Sequence, residues 1–197
     1  MIITMRCDIL TEISAKEKGG LTDNSIDKAF KLFIENIDIL SIILKGLIED
    51  FNNIDLETVK TLIPKNKDGD KALIRNTEIV STHGNTIILD SLFDIPLSNT
   101  ESVQIVVNIE GQGRPNVGYD LNSRALYYAS RLISEQKLSN DGGRYDSLKK
   151  VYSIWLIMKP NKFDANSIDK YTIKGNRQQY DGFSVMEKEI EGIDLVT

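Results

Sequence analysis

Apolar residues change their spacing partway along this chain of 197 residues, and that change limits the folds open to it. Between residues 26 and 48 they recur every three or four positions, which is the spacing of one face of a helix. From Val103 to Glu110 they stand instead at every second position, which is the spacing of one face of a strand. A chain that uses both spacings is expected to pack helices against a sheet.

The remaining apolar patterns complete this alternation of helical and extended segments. Helices are predicted over residues 26–51, 56–63 and 119–137. Strands are predicted over residues 72–80, 86–93, 103–110 and 151–158, with a short further strand at 171–173. The core order, α-β-β-β-α-β, predicts an α/β fold in which helices flank a central sheet.

The two ends of the chain lack these patterns. Residues 1–23 contain two consecutive glycines and mixed charges without a clear period, so we expect a weakly ordered leader. Residues 24–175 are expected to form one domain, since their length suits a single core. Residues 176–197 are acidic and weakly patterned, and we expect them to form a C-terminal tail.

Several protein classes are excluded by features that the sequence lacks. No apolar run approaches the ~20 residues that a membrane-spanning helix needs. The N-terminus lacks the apolar stretch of a secretory signal, and Cys7 is the single cysteine, so no internal disulfide can form. These features predict a cytoplasmic protein with no membrane partner.

Charge is distributed unevenly along the chain. The net charge of −5 argues against a basic nucleic-acid-binding tail. Residues 111–160, however, hold eight lysines and arginines against four acidic residues. A positive field beside carboxylates suits an enzyme that acts on phosphodiesters. Ordinary variation of surface charge explains the same counts equally well.

Two carboxylates form the first candidate site. Asp90 lies within an apolar strand pattern, where an unpaired buried charge would be costly. The two-residue period of the third strand places Asn108, Glu110 and Gln112 on one side. Adjacent antiparallel strands could bring Asp90 and Glu110 to one end of the sheet, where two carboxylates and a main-chain carbonyl would suit Mg²⁺ or Mn²⁺. The spacing alone also fits an edge aspartate and a solvated glutamate.

A second candidate surface lies on the long helix predicted over residues 119–137. Five polar residues recur there at helical spacing and share one face: Asp120, Arg124, Tyr127, Arg131 and Ser134. Two arginines flanking a tyrosine suit contacts with backbone phosphates. A solvated helix face with an Asp120–Arg124 ion pair explains the same pattern.

The sequence lacks the common motifs of other catalytic classes. It contains neither a phosphate-binding loop nor a dinucleotide-binding glycine motif. His83, the single histidine, lies in a predicted hairpin turn, so a Ser-His-Asp hydrolase is not expected.

Several short motifs together resemble one nuclease family. They are Asn76-Thr77-Glu78, Leu89-Asp90, Val107 to Gln112, Ser123 to Tyr128, Ser130 to Gln136 and Lys149 to Trp155. Over residues 26–175 the sequence resembles the PD-(D/E)XK nuclease family often described as transposases, whose relatives include bacterial recombination-promoting nucleases. The resemblance implies a restriction-endonuclease-like core with a mixed sheet, and the α-β-β-β-α-β order read above is the order of that core.

The resemblance also implies roles for individual residues. Asp90, Glu110 and the carbonyl of Gly111 would hold Mg²⁺, with Mn²⁺ as a substitute. Gln112 would stand where the wider superfamily has a lysine, and Glu78 would match a further acidic position that helps the metal or orients water. The residues expected to contact nucleic acid are Arg124, Tyr127, Arg131, Lys149 and Lys150.

The function implied is a divalent-metal-dependent DNA endonuclease, associated with mobile elements or defence and without strand-transfer activity. A homodimer is left open. One alternative is a catalytically silent nuclease fold that binds DNA or protein, because Gln112 cannot act as a base at ordinary pH. Another is a toxin-like nuclease that a partner masks. Metal dependence separates the endonuclease from the binding module.

Overall fold

A five-stranded sheet forms the centre of the molecule in the computed structural model. The structure describes residues 1–6, 23–80, 86–98, 104–113, 118–136, 147–172, 176–180 and 185–189. Cys7 and His83, and the predictions made for them, lie outside these ranges. Within them, no helix combines the length and the apolar character needed to cross a bilayer.

The elements follow the alternation that the sequence predicts, with additional strands. The helices are α1 (Asp23–Glu35), α2 (Ile37–Leu47), a 3₁₀ helix (Glu49–Phe51), α3 (Leu56–Leu62) and α4 (Leu121–Ser134). The strands are β1 (Ile2–Arg6), β2 (Glu78–Val80), β3 (Thr86–Ile88), β4 (Ser91–Pro96), β5 (Gln104–Gln112), β6 (Val151–Ile157), β7 (Ser167–Tyr171), β8 (Asn176–Tyr180) and β9 (Val185–Glu189).

The central sheet is mixed, with the strand order β4-β5-β6-β1-β7. Strand β6 runs parallel to both β5 and β1, whereas β4 and β7 pair antiparallel at the two edges. Two antiparallel pairs, β2–β3 and β8–β9, lie outside this sheet. The architecture confirms the predicted α/β fold with a mixed sheet and flanking helices, and it is consistent with a restriction-endonuclease-like core.

Two apolar cores cover the two faces of the sheet. On one face α1, α2 and α3 share a cluster with β5, which includes Phe30, Leu44 and Ile109. On the other face α4 and the β2–β3 pair share a cluster that includes Val106 and Trp155. Since β5 is buried on both faces, any polar side chain on it needs a partner.

The first strand differs from the sequence-based expectation. Residues 2–6 belong to the segment predicted to be a weakly ordered leader, yet they form β1 between β6 and β7, with Ile3 fully buried. A five-residue strand is too short to show a period, and both its partners lie far along the sequence. At the other end, β8 and β9 pair with each other inside the predicted tail.

The long helix predicted over residues 26–51 is also different, because Asn36 divides it into α1 and α2. The Oδ1 atom of Asn36 accepts from the N–H groups of Asp38 at 3.0 Å and Ile39 at 3.1 Å, and so caps α2. Apolar spacing continues on both sides of the cap, which is why the period alone does not show the break.

Candidate metal centre

Asp90 and Glu110 meet at the end of the ladder between β4 and β5. Asp90 lies between β3 and β4, just before Ser91, whose partner on β5 is Ile109. The N–H of Asp90 donates to Oε1 of Glu110 at 3.2 Å. The N–H of Gly111 donates in turn to Oδ2 of Asp90 at 2.8 Å. The structure thus places together the two carboxylates that the sequence suggested as a pair.

A bend in the chain makes this arrangement available. The strand predicted over residues 86–93 is interrupted, since β3 ends at Ile88 and β4 begins at Ser91. Asp90 falls in the gap, outside the strand ladder. Its N–H is therefore free to hold the Glu110 carboxylate in place of a strand partner.

Burial raises the pKa of both carboxyl groups. Glu110 is only 3% exposed, and its burial, together with the nearby charge of Asp90, raises its pKa from 4.5 to about 8. Burial also raises the pKa of Asp90, against the opposing effect of the hydrogen bond from Gly111. A cation bound between the two groups would stabilise both charged forms.

The carbonyl of Gly111 points toward the edge of β5 on which Asp90 lies. The carbonyl of Gln112 accepts from the N–H of Met158 at 2.8 Å, on the β6 side. Successive carbonyls along a strand point to opposite sides, so the Gly111 carbonyl points away from β6. Two carboxylates and this carbonyl form a set of hard oxygen donors that fits Mg²⁺ or Mn²⁺, with waters completing the coordination.

Helix α1 packs directly on this end of β5. The ring of Phe30 lies over Gly111, so that a Cβ atom added there would stand 2.9 Å from three of the ring carbons. Phe30 is itself buried in the core. The missing side chain at Gly111 therefore allows α1 to approach and fixes its position beside the carboxylates.

Replacing Gly111 by alanine is expected to destabilise the protein by about 1–3 kcal/mol, because the new methyl group overlaps the Phe30 ring. Urea unfolding measures the loss. Gly46 on α2 is the matched control, since a Cβ added there meets nothing within 4 Å. Gly46→Ala is expected to stabilise the helix by up to about 1 kcal/mol. A Gly111→Ala variant as stable as Gly46→Ala would contradict the packing.

Two charged residues of α1 act on the centre, and sequence analysis singled out neither. Asp27 and Lys31 lie one helical turn apart, on the same flank of α1 beside Phe30. Burial and the hydrogen bond from Gly111 have the largest effects on the pKa of Asp90. The negative charge of Asp27 raises this pKa further, and the positive charge of Lys31 lowers it. Their four-residue spacing is visible in the sequence, but nothing local shows which end of the sheet α1 crosses.

Arg124 of α4 borders the centre from the other face of the sheet. Its guanidinium donates to the hydroxyl of Tyr128 at 2.8 Å and to the hydroxyl of Tyr119. It lies 5.5 Å from the ring of Trp155, which neighbours Glu110 in the register of β5 and β6. Its positive charge favours the ionised forms of both carboxylates.

Other residues of the predicted α4 face have different partners. The carboxylate of Asp120 caps the helix, accepting from the N–H of Ser123 at 2.9 Å, whereas the guanidinium of Arg124 donates to the two tyrosine hydroxyls. Arg131 forms an ion pair with Glu135 at 3.0 Å. Tyr127 is 47% exposed, which leaves its ring accessible to a ligand.

The two lysines expected to contact nucleic acid lie toward the opposite end of β5. Lys149 donates through Nζ to Oε1 of Gln104 at 2.9 Å. Gln104 begins β5, six residues before Glu110, which is about 20 Å along an extended strand. Lys150 forms an ion pair with Asp50 at 2.9 Å. Neither lysine is therefore beside the carboxylates.

Glu78 and Gln112 differ in their relation to the centre. Glu78 is exposed on β2 and lines a cavity together with Lys149. Within the described part of the chain, no group of three or more His, Cys, Asp or Glu side chains is placed to hold a metal. Gln112 follows Glu110 by two residues on the same face of β5 and is partly buried.

One family model matches the sequence of the chain. The model is described as PD-(D/E)XK nuclease family transposase and matches residues 26–189, which is most of the chain. The match extends past residue 175, the end of the predicted domain, and takes in β8 and β9. Neither a curated protein nor a solved structure matches the chain.

Proposed function

Because the chain belongs to the PD-(D/E)XK nuclease family transposases, we propose that it is a divalent-metal-dependent DNA endonuclease that hydrolyses phosphodiester bonds. The observation that carries the proposal is the pair of hydrogen bonds that joins Asp90, Glu110 and Gly111 at the end of β5. These groups gather hard oxygen donors beside the guanidinium of Arg124. The proposal includes a role linked to mobile elements or defence.

The chain's own groups would hold Mg²⁺, or Mn²⁺ in its place, through Asp90, Glu110 and the Gly111 carbonyl. When bound, such a metal lowers the pKa of a water molecule and offsets charge developing on the phosphate. Glu110 must release its proton before it can act as a ligand, because its pKa is about 8 without metal. The N–H groups of Asp90 and Gly111 keep the two carboxylates oriented.

Gln112 would orient the attacking water without taking its proton. A side-chain amide donates and accepts hydrogen bonds but does not become protonated at ordinary pH. The proton of the water must therefore pass to solvent or to a phosphate oxygen. This role for Gln112 is compatible with its position on the Glu110 face of β5.

The DNA backbone would lie along α4 and the neighbouring end of the sheet. Arg124 would bind a phosphate next to the carboxylates, where its planar guanidinium can donate two hydrogen bonds. Tyr127 and Arg131 would extend this surface along α4. Lys149 and Lys150 would contact DNA farther away, beyond the start of β5.

Cleavage of supercoiled plasmid by the purified protein tests this function. We expect nicking or linearisation with Mg²⁺ or Mn²⁺, no cleavage with a chelator, and no strand-transfer products. A folded protein that leaves the plasmid intact with every divalent metal would overturn the endonuclease proposal.

A binding module is the second candidate, and glutamine at position 112 is the observation that favours it. A silent nuclease fold would bind a DNA duplex equally well with and without Mg²⁺, and its affinity would fall with salt. Filter binding at several salt concentrations, with Mg²⁺ or with a chelator, distinguishes the two candidates.

A further inference from the structure

The cations near the sheet differ in whether they have a carboxylate partner. Among the described residues, the cations that form ion pairs include Arg75 and Lys149 with Asp94, Arg131 with Glu135, Lys150 with Asp50 and Lys170 with Glu49. A cation already paired with a carboxylate presents less net charge to a phosphate. The charges best placed to bind a phosphate are those without such a partner.

Lys31 is one of these. It is exposed on α1, and among the residues that the structure describes it forms neither an ion pair nor a hydrogen bond. It lies on the flank of α1 beside Phe30, one helical turn after Asp27. Arg124 is similar, since its hydrogen bonds go to the neutral hydroxyls of Tyr119 and Tyr128.

The packing of α1 determines where Lys31 stands. The preceding residue, Phe30, contacts Gly111, whose N–H donates to Asp90. Helix α1 covers one face of the sheet and α4 covers the other. The helices that carry Lys31 and Arg124 therefore border this end of β5 from opposite faces of the sheet, so a phosphate bound at the carboxylates would lie between them.

We propose that Lys31 binds the substrate phosphate opposite Arg124 and supplies the positive charge that Gln112 lacks. This inference rests on the proposed function, since it places a phosphodiester at the carboxylates. A lysine ammonium is a compact charge with three donors on a flexible stem, which suits one or two phosphate oxygens. Binding there offsets the repulsion between the phosphate and the carboxylates.

Three variants test the proposal on the full chain: Lys31→Gln, Lys31→Arg and the control Lys28→Gln. Lys28 is exposed on the same helix, but at 100° per residue it lies on the side of α1 turned away from Phe30. Each variant is assayed for plasmid cleavage with Mn²⁺, and for the salt dependence of duplex binding with a chelator.

We expect Lys31→Gln to lower the cleavage rate at saturating DNA by about 10²-fold, and Lys31→Arg to restore most of it. We also expect Lys31→Gln to reduce the slope of log affinity against log salt by about one. The control Lys28→Gln is expected to leave the cleavage rate unchanged. Equal behaviour of the Lys31→Gln and Lys28→Gln proteins in both assays would overturn the role of Lys31, and so would a lower rate with an unchanged slope. If the wild-type protein fails to cleave, the endonuclease proposal fails, and the difference in slope alone then decides whether Lys31 binds phosphate.

Discussion

Replacing Glu110 by glutamine is expected to lower metal-dependent plasmid cleavage by about 10³-fold or more. The substitution removes a charged oxygen ligand whose contribution to the transition state is several kcal/mol. Glutamine keeps the side-chain volume, and its carbonyl oxygen can still accept from the N–H of Asp90, as Oε1 of Glu110 does. The fold is therefore expected to remain while the activity is lost.

Calorimetric titration with Mn²⁺ measures whether this variant still binds the metal, and so distinguishes the loss of a metal ligand from other causes of lost activity. Glu57→Gln is a suitable control, since Glu57 is exposed on α3 and pairs with Lys60. The control is expected to bind Mn²⁺ and to cleave like the wild type. Wild-type cleavage by the Glu110→Gln protein would show that the metal is held elsewhere.

The metal-free protein is expected to lose stability as the pH rises from about 5 to about 9. Glu110 has a pKa of about 8 in the folded chain against 4.5 as its reference value, so the folded state binds more protons between these values. The stabilisation is complete below pH 4.5 and is lost as the pH rises through 8, with a slope of at most about 1.4 kcal/mol per pH unit. The raised pKa of Asp90 acts in the same direction.

Urea unfolding with a chelator, at intervals of one pH unit, measures this slope. Glu110→Gln cannot ionise at this position, so its stability is expected to vary less with pH and to exceed that of the wild type at pH 9. Identical pH profiles for the two proteins would mean that Glu110 does not titrate in this range. Added Mn²⁺ is expected to restore wild-type stability at high pH, because it binds the ionised form.

The sequence predicts the parts of the site that depend on a local pattern. Alternation along β5 placed Glu110 on the face opposite Ile109, and the apolar surroundings of Asp90 pointed to a residue in need of a partner. The hydrogen bonds between these residues agree with both inferences. The bend at Asp90 was not predicted, because the residues on both sides of it continue a strand pattern.

Contacts between distant segments are the parts that the sequence does not reveal. Strands β1 and β6 pair although they are separated in sequence by about three quarters of the chain, and no local sequence pattern predicts that pairing. The same limit applies to α1, whose place beside the carboxylates depends on the packing of Phe30 on Gly111. Lys149 and Lys150 show that nearness in sequence to a motif does not ensure nearness to the site. They directly precede β6, whereas the carboxylates lie beside the other end of that strand.

The position of the centre between the two apolar cores has a consequence for how the molecule opens. Local unfolding of a protein usually proceeds in cooperative units, each with its own free energy. Here one unit would contain α1 and the other α4, and both border the same carboxylates through Phe30 and Arg124. A ligand bound there would be lost when either unit opens, so its binding would raise the free energy of both openings and slow hydrogen exchange in both units together.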